Sequence, residues 1–193
     1  MTDKSEKKHF HHGKSSKDIL DAEFVLNSIG LKKGDIFLDA GSGDGYMSLA
    51  ASKIVGEKGK VYAVEIWEES INILEKEIKE QKIGNIESII ADISAKIPID
   101  NAIIDICYMG NVLHGFVENE DYDNVMKEIS RIIKLEGTFA VIEFKKIKNI
   151  PGPPFPVKMT PEEVEKIISD YGFEVKEVIE AGKYHYGVIS VKK

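Results

Sequence analysis

The sequence predicts an α/β chain built on a seven-stranded, mostly parallel sheet, with helices on both faces and an antiparallel strand at its C-terminal end. Three observations lead there. Short apolar runs alternate with longer amphipathic stretches between Ile36 and Phe144. A glycine-rich turn joins the first apolar run to the stretch after it. The last two β-rich segments follow one another with no helix between them. Alternation of strand and helix implies parallel strands with right-handed crossovers, and a closing hairpin reverses one strand.

Taken in order, residues 1–16 are polar and lysine-rich, carry His9, His11 and His12, and are expected to be mobile. A domain of residues 17–193 follows. Its first helix is predicted from about Lys17 to Ile29, with Ile19, Leu20, Phe24, Leu26 and Ile29 as its apolar side, Ser16 as N-cap and Gly30 as its stop. Strand 1 is Ile36–Leu38, followed by the glycine turn and a helix through Lys53. Strand 2 is Lys60–Val64, then a helix over Glu68–Gln81; strand 3 is Ile86–Ala91. Strand 4 is Ala102–Met109, then a helix over Tyr122–Ile133; strand 5 is Thr138–Phe144. Residues 151–156, PGPPFP, must be a loop, because prolines cannot donate to a helix or a central strand. Thr160–Tyr171 is predicted as a helix with Thr160 as N-cap and Pro161 at its first position. Phe173–Ile179 and His185–Val191 form the hairpin. No internal repeat or long linker interrupts the series.

Composition narrows the function. With 193 residues, one domain is the natural expectation. The net charge of −7 argues against general binding to a phosphate backbone, which needs clustered Lys and Arg, and Arg131 is the one arginine. No apolar stretch is long enough for a membrane span, and no apolar region of a secretory signal precedes residue 17. Cys107 is the single cysteine, so an internal disulfide is impossible and a reducing, cytoplasmic setting is expected.

The chemistry concentrates at Leu38-Asp39-Ala40-Gly41-Ser42-Gly43-Asp44-Gly45. Glycines there allow positive φ and let the backbone approach a ligand, while the helix behind presents free N–H groups. Glu65 closes strand 2, 26 positions after Asp39 (65 − 39), and Asp92 follows strand 3, 27 positions further (92 − 65). A carboxylate at the end of strand 2 can accept from both hydroxyls of a ribose, and one at the end of strand 3 from the exocyclic amine of an adenine. In open α/β sheets, ligands sit outside the carboxyl ends of the strands. Three acids at successive strand ends therefore point to a nucleoside site. The glycine spacing is G-x-G-x-G, with Tyr46 where a dinucleotide dehydrogenase would carry its third glycine.

With these motifs the sequence resembles the class I S-adenosylmethionine (SAM)-dependent methyltransferases, which have a Rossmann-like fold. It is most similar to their ubiquinone/menaquinone-methyltransferase-like branch. The order of elements, the segment NVLHGF at 111–116 and a proline-rich loop after strand 5 support that placement. The resemblance implies that Gly41, Ser42, Gly43 and Gly45 cradle the methionine part of SAM while Asp39 anchors the turn. It implies that Glu65 holds the ribose, Asp92 and Ile93 frame the adenine, Ile66 and Trp67 pack on its face, and the backbone around Met109–Asn111 meets the methionine end. The implied reaction is in-line transfer of a methyl group from SAM to a small-molecule acceptor; a non-catalytic SAM sensor or partner subunit, and a protein or tRNA methyltransferase, are the alternatives. His114, after strand 4, and His185, at the start of the last strand, are the candidate catalytic bases, with Tyr184 beside the latter. All five histidines could converge on one rim; a metal held by His114, His185 and an N-terminal histidine is the lesser reading, and no metal is assigned. Phe155 of the PGPPFP loop is expected to touch the acceptor, Lys145–Lys148 to be solvated, and Cys107 to be a core residue.

Overall fold

The computed structural model describes residues 17–193. The expectations for residues 1–16, including His9, His11, His12 and the Ser16 cap, lie outside the described residues. Thirteen elements follow in the order α1 (Ala22–Ser28), β1 (Ile36–Ala40), α2 (Tyr46–Val55), β2 (Lys60–Glu65), α3 (Glu68–Gln81), β3 (Ile86–Ile90), β4 (Ile104–Gly110), α4 (Leu113–Glu118), α5 (Tyr122–Ile132), β5 (Ile133–Phe144), α6 (Pro161–Ser169), β6 (Phe173–Glu180) and β7 (His185–Lys192).

The seven strands form a sheet of order β3-β2-β1-β4-β5-β7-β6. β1 to β5 pair in parallel, and β7 runs antiparallel to both β5 and β6. The Rossmann-like sheet with a reversed C-terminal strand is thus present. From β1 the chain steps outward through β2 to β3, then returns to place β4 on the other side of β1. That reversal opens a crevice at the carboxyl ends of β1 and β4.

Both faces are covered. Phe37, Val61, Ile106, Tyr108, Ala140, Ile142 and Ile189 pack with Val25 and Leu26 of α1 and with Met47, Ala51 and Val55 of α2. On the opposite face Leu38, Val64, Cys107, Met109, Phe139, Val141 and Val188 pack with Leu113 of α4, Val125, Met126 and Ile129 of α5, and Val164 and Ile168 of α6. Alternate residues of one strand feed alternate faces, so the central strands read as unbroken apolar runs. Each fully buried side chain of this size contributes roughly 1.5–3 kcal/mol.

Several boundaries differ from the sequence reading for local reasons. α1 begins at Ala22 because the Asp21 carboxylate accepts the Phe24 N–H at 3.0 Å, capping the helix there. Phe24, expected on the apolar side, is exposed. β5 starts at Ile133, directly after α5, and its first residues pair with β4 across a register shift. The short α4 was not anticipated. α6 starts as its sequence suggests and ends at Ser169, two residues before the expected Tyr171: Thr160 accepts from Glu163 N–H at 3.3 Å and the Glu163 carboxylate accepts from Thr160 N–H at 2.7 Å, a reciprocal capping box with Pro161 at the first turn.

The lone arginine ties the β3–β4 connection to α5. Arg131 donates to Glu128, to the carbonyls of Ile97 and Ile99, and to Asn101, while Glu128 also accepts the Ile97 N–H at 2.6 Å. Arg131→Met should lower stability by roughly 1.5–3 kcal/mol, the scale of hydrogen bonds to charged groups. Chemical denaturation would show the midpoint fall; an unchanged midpoint would mean the network contributes nothing net.

Candidate active site

The glycine turn is fastened at two acids. Asp39, near the end of β1, is buried and accepts a hydrogen bond from the Ser48 hydroxyl of α2 at 2.6 Å. Burial pushes its pKa up to about 7; the Ser48 bond opposes this, and the charges of Glu65 and Asp44 add to it. Gly41, Gly43 and Gly45 all have positive φ. The N–H groups of Gly41 and Ser42 both donate to the Val64 carbonyl of β2, at 2.9 and 3.0 Å. The Gly43 N–H donates to Glu65 Oε2 at 2.9 Å. The glycines have different reasons to be glycine. A Cβ on Gly41 would come within 2.6 Å of Val112, and one on Gly45 within 2.4 Å of Leu74 in α3, whereas one on Gly43 would meet nothing within 4 Å. Gly41 and Gly45 permit packing behind the turn; Gly43 faces open space.

Around the turn the other predicted residues take their places. Glu65 Oε1 accepts from the N–H groups of Ile66 and Trp67, at 2.8 and 3.2 Å. Asp92 Oδ1 accepts from both the N–H and the hydroxyl of Ser94, at 2.8 and 2.7 Å. Ile66 and Trp67 are 43% and 38% exposed, so they offer an apolar rim next to Glu65. Ile93 instead turns its side chain into the core, which leaves only its backbone at the rim. Asn111 sits at φ 59° just beyond β4, anchored by its N–H to the Ile142 carbonyl at 2.8 Å. Two oxygens, Ser42 Oγ and Asn111 Oδ1, are buried with no hydrogen-bond partner. Buried polar atoms are normally satisfied, so a pair left bare on either side of the β1–β4 crevice fits a polar ligand there.

Of the five histidines, His114 and His185 lie among the described residues. Adjacent residues of β5 hold the two described rings. Glu143 is buried and takes His114 twice, from the main-chain N–H at 3.1 Å and at Nδ1 at 2.7 Å. Phe144 stacks on His185 with ring centroids 4.1 Å apart. Consecutive strand side chains leave opposite faces, so the imidazoles flank the end of β5 from two sides. Burial lowers the His114 pKa, but the charge and hydrogen bond of Glu143, with Glu118 behind, raise it to a net value above 6.5. His185 is pushed down to about 4 by burial and by the charges of Lys145 and Lys158. Tyr184 lies in the β6–β7 turn, its carbonyl accepting the Lys145 N–H at 2.8 Å and its ring under Lys183. Phe155 is exposed, with Lys148 over its ring. Lys145 and Lys146 are not simply solvated: the first is ion-paired with Glu180 and the second with Glu163. Cys107 is buried in the core, as expected. Among the described residues no group of three or more side chains is arranged to hold a metal, and no helix is long and apolar enough to cross a membrane.

Sequence reasoning missed two residues. Glu143 is an acid at the end of an apolar run, and its partner His114 gives it away only in three dimensions. Tyr108 sends its hydroxyl up to the rim, into the space a Cβ on Gly110 would occupy, 2.2 Å from that position. Burial, with Asp39 and Glu143 nearby, raises its pKa well above the ordinary value and keeps it neutral. A depression of about 200 Å³ lined by Ile29, Lys32, Asp105 and Leu135 lies at the opposite, amino end of the sheet and carries none of these groups.

The profile of a family described as a methyltransferase domain matches residues 31–186. The chain belongs to that family. A solved SAM-dependent methyltransferase from Aquifex aeolicus is 33% identical, with a TM-score of 0.84 over 94% of this chain and 95% of that one. A ubiquinone/menaquinone biosynthesis C-methyltransferase from Vibrio vulnificus is 28% identical over 124 residues, 64% of this chain and 46% of that protein. The chain therefore spans about half the length of the curated relatives it matches. A geranyl diphosphate C-methyltransferase from Streptomyces coelicolor A3(2) shares the fold, with a TM-score of 0.70 at 14% identity over 89% of this chain and 78% of that one. The branch suggested by NVLHGF is consistent with the Vibrio relative, and the family match spans the turn, Glu65, Asp92 and both rim histidines.

The buried Asp39 yields a signed prediction. Its carboxyl is protonated more readily in the fold than in the open chain, so its contribution favours folding at low pH and is lost as pH rises from about 4 through about 7. Asp39→Asn has no such proton, and any cost of the amide does not depend on pH. The variant should gain on the wild type as pH rises, by at most roughly 4 kcal/mol at pH 8, from 1.36 kcal/mol per pH unit. Thermal melts from pH 4 to 8 would show it; a gap that stays constant would mean Asp39 is not strained by burial.

Proposed function

We propose that this chain binds SAM in the β1–β4 crevice and methylates a small-molecule acceptor, with His114 as the general base. The observation that carries the proposal is the pair of unsatisfied buried oxygens, Ser42 Oγ and Asn111 Oδ1, above a buried carboxylate that has no cationic partner in its hydrogen bonds. Two accepting oxygens and one hydroxyl able to donate suit the ammonium and carboxylate end of an amino acid. Glu65 would take the ribose hydroxyls, Asp92 the adenine amine, and Ile66 and Trp67 the adenine face. SAM, when bound, supplies a methyl group already activated on a sulfonium.

The residues of this chain then bind, orient and move a proton. Asp39 and Glu65 hold the turn rigid, so the cradle is formed before a ligand arrives. Glu143 takes the Nδ1–H of His114, which fixes the tautomer, makes Nε2 the bare nitrogen of the neutral ring and strengthens it as an acceptor of the proton from the acceptor's nucleophile. The His–carboxylate pair at the rim favours catalysis over a sensor role, because a sensor has no use for an oriented base. The acidic chain and the single buried thiol accord with a small-molecule enzyme of the cytoplasm.

Two measurements address this reading. Glu65→Ala should weaken SAM binding by roughly 1.5–3 kcal/mol, about ten- to a hundred-fold, when followed by calorimetry on folded protein. Unchanged affinity would remove Glu65 from the nucleoside site. For the base, Glu143→Gln strips away the charge that raises the His114 pKa and leaves burial to dominate. Its titration, followed by histidine NMR, should move from above 6.5 to below it; an unmoved titration would break the pairing.

A further inference from the structure

We infer that His185 orients the methyl acceptor, and that the acceptor is an uncharged molecule bearing a hydroxyl, met by the imidazole beneath the strap of residues 145–158. The inference rests on the methyltransferase reading above and adds what lies on the acceptor side of the crevice.

The carrying observation is the state of the ring. His185 is fully buried, and neither Nδ1 nor Nε2 has a hydrogen-bond partner. Leaving both ring nitrogens of a buried imidazole unmade is costly, and such groups recur where a partner arrives from outside. The location agrees. His185 stands opposite Phe144 at the carboxyl end of β5, the end where the cradle opens. On the same face, one row lower, Gly110, Ile142 and Gly187 lie side by side across β4, β5 and β7. The missing side chain at Gly110 admits the Tyr108 hydroxyl. Two neutral polar groups thus stand along one rim, between the apolar walls of Ile142 and Phe144.

The strap covers the Phe144 side of this rim. It carries Pro151, Pro153, Pro154 and Pro156 and forms no helix or strand. Lys158, itself buried, gathers it by donating from Nζ to the carbonyls of Ile147, Ile150 and Pro151 at 3.2, 3.3 and 3.1 Å. Gly152 lies against the Phe144 ring, 2.5 Å from it at the position a Cβ would take. The strap therefore rests on the ring that His185 stacks upon. One ammonium holding three loop carbonyls is a clamp that can exchange them for water, so the strap can lift without unfolding the sheet.

Chemistry selects the ligand class. A neutral imidazole offers one N–H and one bare nitrogen. A hydroxyl matches both; a carboxylate offers acceptors alone and an ammonium donors alone. The two ammonium groups whose charge acts on His185 are engaged elsewhere, Lys145 with Glu180 and Lys158 with the strap. No cation is left pointing at an anion from that pair.

The test uses the full chain saturated with S-adenosylhomocysteine, with phenol and cyclohexanol as hydroxyl probes and toluene and benzoate as controls. Histidine-ring ¹⁵N NMR should show the His185 nitrogens moving with a hydroxyl probe and staying still with the controls. Phenol acting alone would mark an aromatic acceptor, cyclohexanol alone an aliphatic one. His185→Phe should lose the preference for phenol over toluene about ten-fold, and His185→Asn should restore part of it, both binding S-adenosylhomocysteine as the wild type does. Hydroxyl probes that bind His185→Phe as well as wild type, a response to benzoate, or an unmoved His185 in protein that binds S-adenosylhomocysteine would overturn the inference. Failure to bind S-adenosylhomocysteine at all would instead strike the methyltransferase reading, and this inference with it.

Discussion

The Glu65 carboxylate is the fastening on which the rest of the site depends. One oxygen receives the Gly43 N–H from the turn after β1; the other receives two N–H groups from the chain leaving β2. Charge-assisted bonds of this kind are short and strong, and they join two loops that the sheet alone leaves separate. Val64, one residue earlier, contributes its carbonyl to the same turn. On the far side Asp39 reaches Ser48 and holds the first turn of α2 against β1. The cradle is thus set by acids and carbonyls, while the glycines provide the room in which they act.

The sheet places the chemistry. Because the chain reverses after β3, β1 and β4 diverge at their carboxyl ends, and the loops beyond them turn in opposite directions. In the proposed reading, cofactor recognition falls on the β1–β2–β3 side, through residues 39–45, 65–67 and 92. The same reading puts acceptor handling on the β4–β5–β7 side, through His114, Tyr108 and His185. Asn111 stands between the two. β5 divides the acceptor side: Glu143 sends its carboxylate to one face and Phe144 its ring to the other. The proposed base, His114, and the proposed orienting imidazole, His185, therefore stand on either side of one strand end, each with its own neighbour. The first is drawn toward protonation by a carboxylate, the second kept neutral by burial and two ammonium groups.

Much of this was legible in the sequence wherever one local cause suffices. α3 runs where its period places it, α6 starts at its predicted cap, and β2 and β3 lie within a residue of their apolar runs. Asp39, Glu65 and Asp92 could be placed because each lies where an apolar run gives way to a loop. Other features needed contacts between distant residues. α4 has six residues, a central Gly115 and no side-chain cap, so nothing local announces it; it forms because Leu113 is buried and Glu143 takes the His114 N–H. The start of β5 is hidden by the run Ile132–Ile133, apolar in either conformation. Lys158 reads as an ordinary surface lysine beside a proline loop, and only the closed strap shows what its ammonium holds. The separation of His114 from His185 follows from the alternation of Glu143 and Phe144, which the sequence did contain but which had no meaning until the partners were known.

The central claim is that a cradle formed in advance by Asp39 and Glu65 receives the cofactor. Amide hydrogen exchange with and without S-adenosylhomocysteine tests it most directly. The account predicts added protection at residues 41–45, at 65–67 and at Asn111, with little change at the amino end of the sheet around Leu135. Saturating ligand that leaves those amides unprotected, or protects another region in their place, would contradict it.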